Sequence, residues 1–455
     1  MTEARSPSDQ PTLSGGAKRP FGTRRQLGLL IAVAVLLGGG GSAFGLHNLT
    51  VQWAALGLLA FNYSAVVQFI RGGPRPLVWL VLASMAVPLV QVIPLPAALW
   101  QALPGRELVR QSLELLGQQG HWFPVSVDRN RTMLAALSLL APFTVLVLAY
   151  RLEARHLTGC MRLLVWLGLA NVALGAVQLA SAGEFAALYP MMDKSVLNGT
   201  FANRNAAALF LVICVVCQLA LPLRSRDRLA RAVHYLVAAI LGLGVLLTQS
   251  RSGAVLLVIV LVGWWVWAWS RPAQPSPLPT SRRLVLLAVA GLVLIAGIGF
   301  ATSATKLNQT FERFSAGEEI RPLIWEDTLV SARRFWPVGS GVSTFDEVIQ
   351  VDESLEYLDA RRTARAHNDY LELIVESGLV GIVLALGWLF WIAQNIWRAL
   401  RSGHDALSAA AVLSLVAILV QSTVDYPLRN EALLCVAAFM VTLLYKRRRS
   451  PSQSG

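Results

Sequence analysis

Long apolar segments follow one another along almost the whole chain, and they constrain its fold more than any other feature. Hydrophobic residues make up 55% of the 455 residues, and charged residues only 14%. A helix needs about 20 mainly apolar residues to cross a bilayer. We therefore predict an all-α polytopic membrane protein with about twelve transmembrane helices. The predicted spans are residues 26–46, 49–70, 77–93, 132–150, 161–182, 205–223, 232–249, 253–270, 284–303, 378–397, 406–424 and 431–445.

Basic residues predict the orientation of these spans. Lysine and arginine are concentrated in alternate loops, and cytoplasmic loops are the ones that carry such an excess. Both termini are then cytoplasmic, and the net charge of +13 reflects topology. We expect no nucleic-acid partner, because the basic residues are scattered over several inner segments and form no single stripe.

The same pattern divides the chain into five regions. Residues 1–25 are rich in serine, proline, glycine and arginine, which is typical of a disordered cytoplasmic tail. Residues 26–303 hold transmembrane helices 1–9, and residues 378–445 hold helices 10–12. A large extramembrane loop, 304–377, separates these two groups, and residues 446–455 form a basic cytoplasmic tail.

The loop between the ninth and tenth spans is the longest hydrophilic stretch of the chain. Apolar residues at three- and four-residue spacing predict a helix over Arg321–Phe335 that ends before Pro337. The Gly339-x-Gly341 step is a weak phosphate-loop signal and is better explained as a plain turn. Asn368 is suited to cap the helix that enters the next span.

Three basic side chains in the outer segments are candidates for binding or catalysis. Arg251 lies where two predicted spans meet. A guanidinium beside hydrocarbon usually has a function or a charged partner. The alternative is an arginine whose side chain snorkels to the membrane interface. Arg321 and His367 lie in the large loop, where the alternatives are a solvated charge and a structural histidine. Arginine donates two hydrogen bonds to a pyrophosphate, and a neutral histidine accepts a proton from a hydroxyl. Together the three residues fit glycosyl transfer from a lipid pyrophosphate.

Other patterns have simpler interpretations. Cys214 and Cys217 form a C-x-x-C within a predicted span, where thiols usually serve as packing residues. Residues 94–131 combine leucine and tryptophan as expected of a helix lying in the outer membrane interface. An acidic run is better explained as a solvated loop than as a Mg²⁺ site; it comprises Asp346, Glu347, Asp352, Glu353, Glu356 and Asp359. The six histidines are dispersed, so we expect no metal site, and we expect no cofactor.

Short motifs spread from about residue 91 to residue 431 occur in a fixed order. They are Gln91–Pro96, Gly199–Asn205, Ser250–Gly253, Arg321 with Trp325, Pro337–Phe345, His367–Leu371 and Asp425–Arg429. In this order they resemble the O-antigen ligase superfamily, which also includes O-antigen polymerases and bacterial protein O-oligosaccharyltransferases. Each motif is weak alone, and the ordered set carries the resemblance.

The resemblance implies a glycosyltransferase of a bacterial inner membrane whose loop 304–377 is periplasmic and catalytic. Ligases of this family move a glycan from undecaprenyl pyrophosphate to the lipid A–core, without a metal and with inversion at the anomeric centre. Arg251 and Arg321 would then bind the pyrophosphate, and His367 would be the general base. The further substrate-binding candidates are Asn203, Arg204, Asn205, Trp325, Asn368 and Arg429.

The motifs leave the acceptor and the type of transfer open. A polysaccharide polymerase or a protein O-oligosaccharyltransferase would use the same donor chemistry. A transporter of lipid-linked glycans also has many spans, but it should place charges at the bilayer midplane on broken helices.

Overall fold

The computed structural model describes residues 20–41, 45–189, 194–223, 227–270, 320–355, 363–401 and 405–446. These residues fold almost entirely into α-helices, as the sequence predicts. The helices are α1 (Pro20–Leu37), α2 (Gly45–Phe61), α3 (Tyr63–Gly72), α4 (Arg75–Gln91), α5 (Ala97–Trp100), α6 (Glu107–Leu115), α7 (Arg129–Ser138), α8 (Leu140–Arg151), α9 (Ala154–Ala180), α10 (Arg204–Ala220), α11 (Arg228–Leu247), α12 (Arg251–Trp269), α13 (Ile320–Phe335), α14 (Phe345–Asp352), α15 (Asp369–Arg401), α16 (Ala406–Gln421) and α17 (Glu431–Lys446). Two short strands, β1 (Pro94–Leu95) and β2 (Phe123–Pro124), pair in antiparallel fashion.

The expected number of about twelve membrane-spanning helices is not confirmed. In the described residues, five helices are long and apolar enough to cross a membrane, or six if one bent pair counts as a span. The five are Arg129–Arg151, which comprises α7 and α8, and then α9 (Ala154–Ala180), α11 (Arg228–Leu247), α12 (Arg251–Trp269) and α15 (Asp369–Arg401). Three further apolar helices, α4, α10 and α16, are shorter. The predicted span 284–303 lies outside the described residues.

The predicted span 49–70 is broken at Asn62. Helices α2 and α3 meet there at an angle of 79°, and Asn62 has a non-helical backbone with φ −120° and ψ 32°. Its buried side-chain amide donates to the Leu58 carbonyl (2.8 Å) and to Gln26 Oε1 (2.9 Å). Asparagine side chains compete in this way with the helical hydrogen bonds of the backbone. The break was not visible in the sequence because the apolar residues continue on both sides of it.

Helix α10 runs through the centre of the bundle. Every residue from 206 to 218 is buried, and α9, α11, α12 and α16 pack around the helix. Cys214 and Cys217 lie fully buried on it as free thiols, in agreement with their interpretation as packing residues. Large apolar side chains on the outside of the bundle, such as Trp79 and Phe390, are mostly exposed, as expected of a surface that faces lipid.

A second, smaller core lies at one end of the bundle, where α13, α14 and the beginning of α15 meet. It comprises Ala332, Phe335, Phe345, Val348, Ile349, Ala366 and Val375. Helix α13 confirms the helix predicted over Arg321–Phe335. In the turn that follows it, the N–H groups of Ser340 and Gly341 donate to the carbonyls of Val375 and Glu376 (both 2.9 Å). The glycine step is therefore a turn packed against α15, as predicted.

Helix α15 is interrupted at Gly378, whose backbone is not helical (φ 52°, ψ −136°). A Cβ atom here would lie 2.1 Å from the carbonyl oxygen of Pro337, so only glycine fits. The N–H of Leu379 donates to that same carbonyl (2.9 Å). Helix α15 thus consists of a short segment, Asp369–Ser377, and a longer apolar segment, Leu379–Arg401.

Residues 94–131 fold over the second core and do not form one interfacial helix. Trp100, which we expected in the membrane interface, is fully buried and donates its indole N–H to the His121 carbonyl (3.0 Å). The buried Arg106 donates to the Gly339 carbonyl (3.0 Å), and its guanidinium lies 5.1 Å from the centroid of the Phe335 ring. This loop is therefore part of the support for the turn after α13.

The acidic run belongs to α14 and its end, and its carboxylates are paired. Arg131 Nη2 lies 2.9 Å from Asp346 Oδ2 and 2.6 Å from Glu347 Oε1. Arg334 Nη2 lies 3.1 Å from Asp352 Oδ2. The expectation of a solvated acidic loop is wrong for Asp346 and Asp352, whose side chains are 17% and 9% exposed, whereas that of Glu347 is more exposed.

Several stretches of the five predicted regions lie outside the described residues. The larger ones are residues 1–19, 271–319, 356–362 and 447–455. These stretches contain most of each predicted tail, and they also contain Glu356 and Asp359 of the acidic run. The division of the chain into five regions stays a prediction.

Candidate functional site

The loop before α15 and the loop after α16 meet at the end of the bundle that carries the second core; we call this end the site end. Asp369 N–H donates to the Ser422 carbonyl (3.0 Å), and Asn368 Nδ2 donates to the Thr423 carbonyl (3.1 Å). Asn368 Oδ1 accepts two backbone N–H groups from the first turn of α15 (3.0 and 3.1 Å). Asn368 therefore caps α15 as predicted, which fixes the residue before it in place.

His367, that preceding residue, contacts a carboxylate to which the sequence analysis gave no role. Its Nδ1 lies 3.2 Å from Asp425 Oδ1, and the side chains of His367 and Asp425 are 33% and 4% exposed. An ionised carboxylate can only accept hydrogen bonds, so Nδ1 is the donor of this contact, and in the neutral imidazole Nε2 then keeps its lone pair. The pair has the arrangement of a general base oriented by a buried carboxylate.

Asn203 connects this pair to α10. Its Nδ2 lies 3.5 Å from Asp425 Oδ2 and 3.3 Å from the Tyr426 hydroxyl oxygen. Its Oδ1 accepts the N–H of Asn205 (2.8 Å), which makes Asn203 the N-cap of α10. Burial and the neighbouring Asp425 carboxylate raise the pKa of Tyr426, so its hydroxyl stays protonated at neutral pH.

The beginnings of α10 and α12 are joined by side chains. Ser250 Oγ donates to Asn205 Oδ1 (2.7 Å), and it accepts the N–H of Gly253 (3.0 Å) as the N-cap of α12. Arg204 and Arg251 are the first residues of these two helices, and both are exposed. The partial positive charge of the helix N-termini adds to the two guanidinium groups. This edge of the site therefore suits an anion.

Helix α13 reaches the site through Trp325. The indole N–H of Trp325 donates to the carbonyl of Ala366 (2.8 Å), the residue before His367. Arg321 lies one helical turn before Trp325 and is partly buried. The structure thus places Trp325 directly against the His367 segment, and it places Arg321 nearby on the same helix.

Arg429, a predicted substrate-binding residue, lies among three carboxylates of the same protein. Its Nη1 lies 2.6 Å from Glu376 Oε2, and its Nε lies 3.5 Å from Glu372 Oε2 and 3.7 Å from Asp369 Oδ1. Burial would lower the pKa of Arg429, but the three carboxylates outweigh it and raise the pKa above its usual value. The charge of Arg429 is therefore matched inside the protein.

One more arginine completes this group of charges, which we call the ionic core. Its members are Arg365, Asp369, Glu372, Glu376 and Arg429. Arg365 Nη1 lies 3.1 Å from Glu372 Oε2, and the side chains of Glu372 and Glu376 are fully buried. In the described part of the chain, no group of three or more histidine, cysteine, aspartate or glutamate side chains is placed to hold a metal ion. The carboxylates of the ionic core face arginines instead.

The sequence analysis included Asp425 only within the motif Asp425–Arg429 and gave it no role, and it missed the ionic core. Asp369, Glu372 and Glu376 do carry a signal, because three- and four-residue spacing places them on one helix face at the start of an apolar segment. Asp425 carries no such local signal, since its partner His367 lies 58 residues away. Only the folded chain brings that pair together.

Comparison with protein families identifies part of the chain. A family model described as Wzy_C, O-Antigen ligase, matches residues 236–386. The predicted site residues within this match are Arg251, Arg321, Trp325, His367 and Asn368. No curated protein matches the chain. The family match confirms the resemblance: residues 236–386 are similar to the O-antigen ligase family, which suggests a glycosyltransferase of the ligase or polymerase type. The match and the apolar helices together point to a multi-pass membrane protein.

Proposed function

We propose that this protein is an O-antigen ligase-like glycosyltransferase that moves a glycan from undecaprenyl pyrophosphate to an acceptor hydroxyl, with the lipid A–core as the acceptor. It resides in the bacterial inner membrane with both termini in the cytoplasm, and its site end faces the periplasm. The observation that carries the proposal is the His367–Asp425 pair, at 3.2 Å, beside the joined N-termini of α10 and α12.

His367 is the general base in this proposal. With Nδ1 held by Asp425, Nε2 takes the proton of the acceptor hydroxyl while the hydroxyl oxygen attacks the anomeric carbon. The new C–O bond forms opposite the leaving group, so the anomeric centre is inverted. The bond from that carbon to the pyrophosphate oxygen breaks, and undecaprenyl pyrophosphate leaves with the electron pair. Asp425 stabilises the imidazolium that results.

Arg251 and Arg321 bind the pyrophosphate and stabilise the negative charge that grows on it as the bond breaks. Arg204 and Trp325 take part in binding the donor, and the asparagines that cap α10 and α15 keep the surrounding loops in place. The donor carries its own energy in its leaving group, so the reaction needs no nucleotide. Two arginines supply the positive charge that a metal ion would otherwise provide. Arg429 has no part in binding here, because the ionic core matches its charge.

A polymerase that lengthens the lipid-linked glycan is the second candidate. The same base would serve it, and so would the cationic edge, which Arg204 and Arg251 form at the beginnings of α10 and α12. Transport is less well supported. The candidate residues lie at one end of the bundle, and the bent pair of helices, Gly45–Phe61 and Tyr63–Gly72, contains none of them. Transporters place such groups near the bilayer midplane on broken helices.

A transfer assay with purified protein tests the proposal. Wild type, His367→Ala and His121→Ala are each mixed with undecaprenyl-pyrophosphate-linked glycan and lipid A–core, without nucleotide or metal. His121 is an exposed histidine in an extramembrane loop and is the matched control. We expect a glycolipid product from wild type and from His121→Ala, and none from His367→Ala.

Other outcomes of the assay are also informative. A donor glycan that lengthens while the lipid A–core stays unmodified would identify a polymerase. If neither the donor nor the acceptor changes with wild-type protein, the proposed transfer is wrong.

A further inference from the structure

The backbone at His367 is held in a conformation that residues other than glycine rarely adopt. Its φ is +50°, in the left-handed region. Such a conformation persists only where the surrounding structure fixes the chain on both sides. On the following side, Asn368 caps α15 and donates to the Thr423 carbonyl (3.1 Å). On the preceding side, the fixing groups are Trp325 and a side chain of the ionic core, Glu372.

Glu372 reaches back from the beginning of α15 to two consecutive residues. Its Oε1 accepts the N–H of Ala366 (3.0 Å), and its Oε2 accepts from Arg365 Nη1 (3.1 Å). Both Glu372 and Ala366 are fully buried. Because one carboxylate holds both residues before His367 against the helix that begins after it, the chain has to reverse at His367.

Glu376 provides an internal comparison, because it is equally buried and shares a partner with Glu372. Its Oε2 lies 2.6 Å from Arg429 Nη1, and its Oε1 lies 3.4 Å from the N of Phe345. Glu372 Oε2 lies 3.5 Å from Arg429 Nε. Besides Arg429, Glu376 thus contacts the turn after α13, whereas Glu372 contacts the segment that ends at His367.

We propose that Glu372 is a positioning residue for His367: by binding residues 365 and 366 it sets the backbone of His367 and aims the imidazole at Asp425. This inference rests on the proposed function, in which His367 is the base. Glu372 does not touch the reacting atoms and acts only through His367. Its loss should therefore slow the chemical step and leave donor binding unchanged.

The test compares Glu372→Gln with Glu376→Gln in the full-length protein reconstituted in lipid nanodiscs. Each variant removes one buried carboxylate that contacts Arg429. Only Glu372→Gln also weakens the hydrogen bonds to residues 365 and 366. We expect Glu372→Gln to lower kcat by about tenfold to hundredfold, the size of effect that a small displacement of a catalytic group produces. The KM for the lipid-linked donor should stay within about twofold of wild type, because the arginines of the cationic edge are untouched.

Glu376→Gln is expected to keep kcat within about threefold of wild type, since its contacts do not reach His367. Equal losses of kcat in the two variants would overturn the inference, because they would reveal a general effect of disturbing the ionic core. A higher donor KM with unchanged kcat in Glu372→Gln would overturn it as well.

Two further measurements keep the test decisive. If Glu372→Gln is not recovered as folded protein, Arg365→Gln replaces it; this variant leaves the carboxylate with Arg429 and removes one of its two links to the His367 segment. We expect a loss of kcat of about threefold or more, and a wild-type kcat would overturn the inference. Wild type and His367→Ala are assayed in parallel: an inactive wild type, or an active His367→Ala, contradicts the proposed function and not the role of Glu372 alone.

Discussion

The core around α10 and the ionic core are both buried, but they are held together by different forces. Residues 206–218 of α10 are surrounded by other helices and contribute mainly packing contacts. The ionic core consists of three carboxylates and two arginines joined at distances from 2.6 to 3.7 Å. Packing contacts are many and individually weak, whereas a buried charge depends on a few partners. The two regions should therefore respond differently when one side chain is changed.

Removal of the central arginine of the ionic core should give the largest loss of stability. Arg429→Ala leaves three carboxylates facing Arg365 alone, and breaking a buried ion pair costs about 3–5 kcal/mol. Thermal unfolding of the detergent-solubilised protein measures the effect. Arg429→Lys keeps the charge and should lose less stability. An unfolding temperature lower for Arg429→Lys than for Arg429→Ala would contradict this account of the ionic core.

Removal of the proposed base should abolish function without loss of stability. His367→Ala should lower the transfer rate by about 10² to 10⁴, the range for a general base, because no other group then accepts the proton. Its side chain is 33% exposed, so the unfolding temperature should stay close to wild type. A transfer assay and an unfolding curve on the same preparation separate the two effects. An unstable His367→Ala would place His367 among the structural residues of the site end.

Replacement of a forked cation by a point charge should have an intermediate effect. Arg251→Lys should lower transfer by about tenfold or more, because lysine cannot donate two parallel hydrogen bonds to a phosphate. Arg228→Lys is the matched control, since Arg228 is also an exposed first residue of a helix, α11, but lies at the other end of the bundle. Full activity of Arg251→Lys would rule out a pyrophosphate clamp at this position.

Single changes in the core around α10 should have the smallest effects. Cys214→Ala and Cys217→Ala each remove one sulfur from a fully buried site, which should cost about 1 kcal/mol through lost packing. Transfer should be unchanged with or without a reducing agent, because we assign the pair no redox role. A thiol-dependent transfer rate in the wild type, lost in either variant, would contradict the packing interpretation.

Local sequence patterns predicted the helices of the site, but they did not predict contacts between residues far apart in the sequence. The spacing of apolar residues gave α13, and the residue type of Asn368 gave the start of α15, because both depend on neighbours within a few residues. Asn62 shows a limit within the apolar runs, since a single amide that binds Leu58 and Gln26 bends a predicted span by 79°.

The role of Arg429 illustrates the second limit. The resemblance made Arg429 a candidate for substrate binding, but its partner in the folded chain, Glu376, lies 53 residues away in the sequence. Whether a charge faces a substrate or a carboxylate of the same protein depends on tertiary packing, which periodicity does not report. His367 was recognised from its motif, whereas its pairing with Asp425 became evident only from the 3.2 Å contact.

The break at Gly378 bears on how the site responds to the thickness of the bilayer. As one continuous helix, the 33 residues of α15 would be about 50 Å long, well beyond the ~30 Å of a hydrocarbon core. A continuous rod would have to tilt in a thinner membrane, and it would carry Glu372 with it. Because the helix is interrupted at Gly378, the axis of Leu379–Arg401 need not follow that of Asp369–Ser377, and the two segments meet where the Pro337 carbonyl accepts the N–H of Leu379. A residue added within the apolar segment would rotate the residues beyond it by about 100°, whereas the contacts of Asp369–Ser377 with the loops of the site all lie before the break.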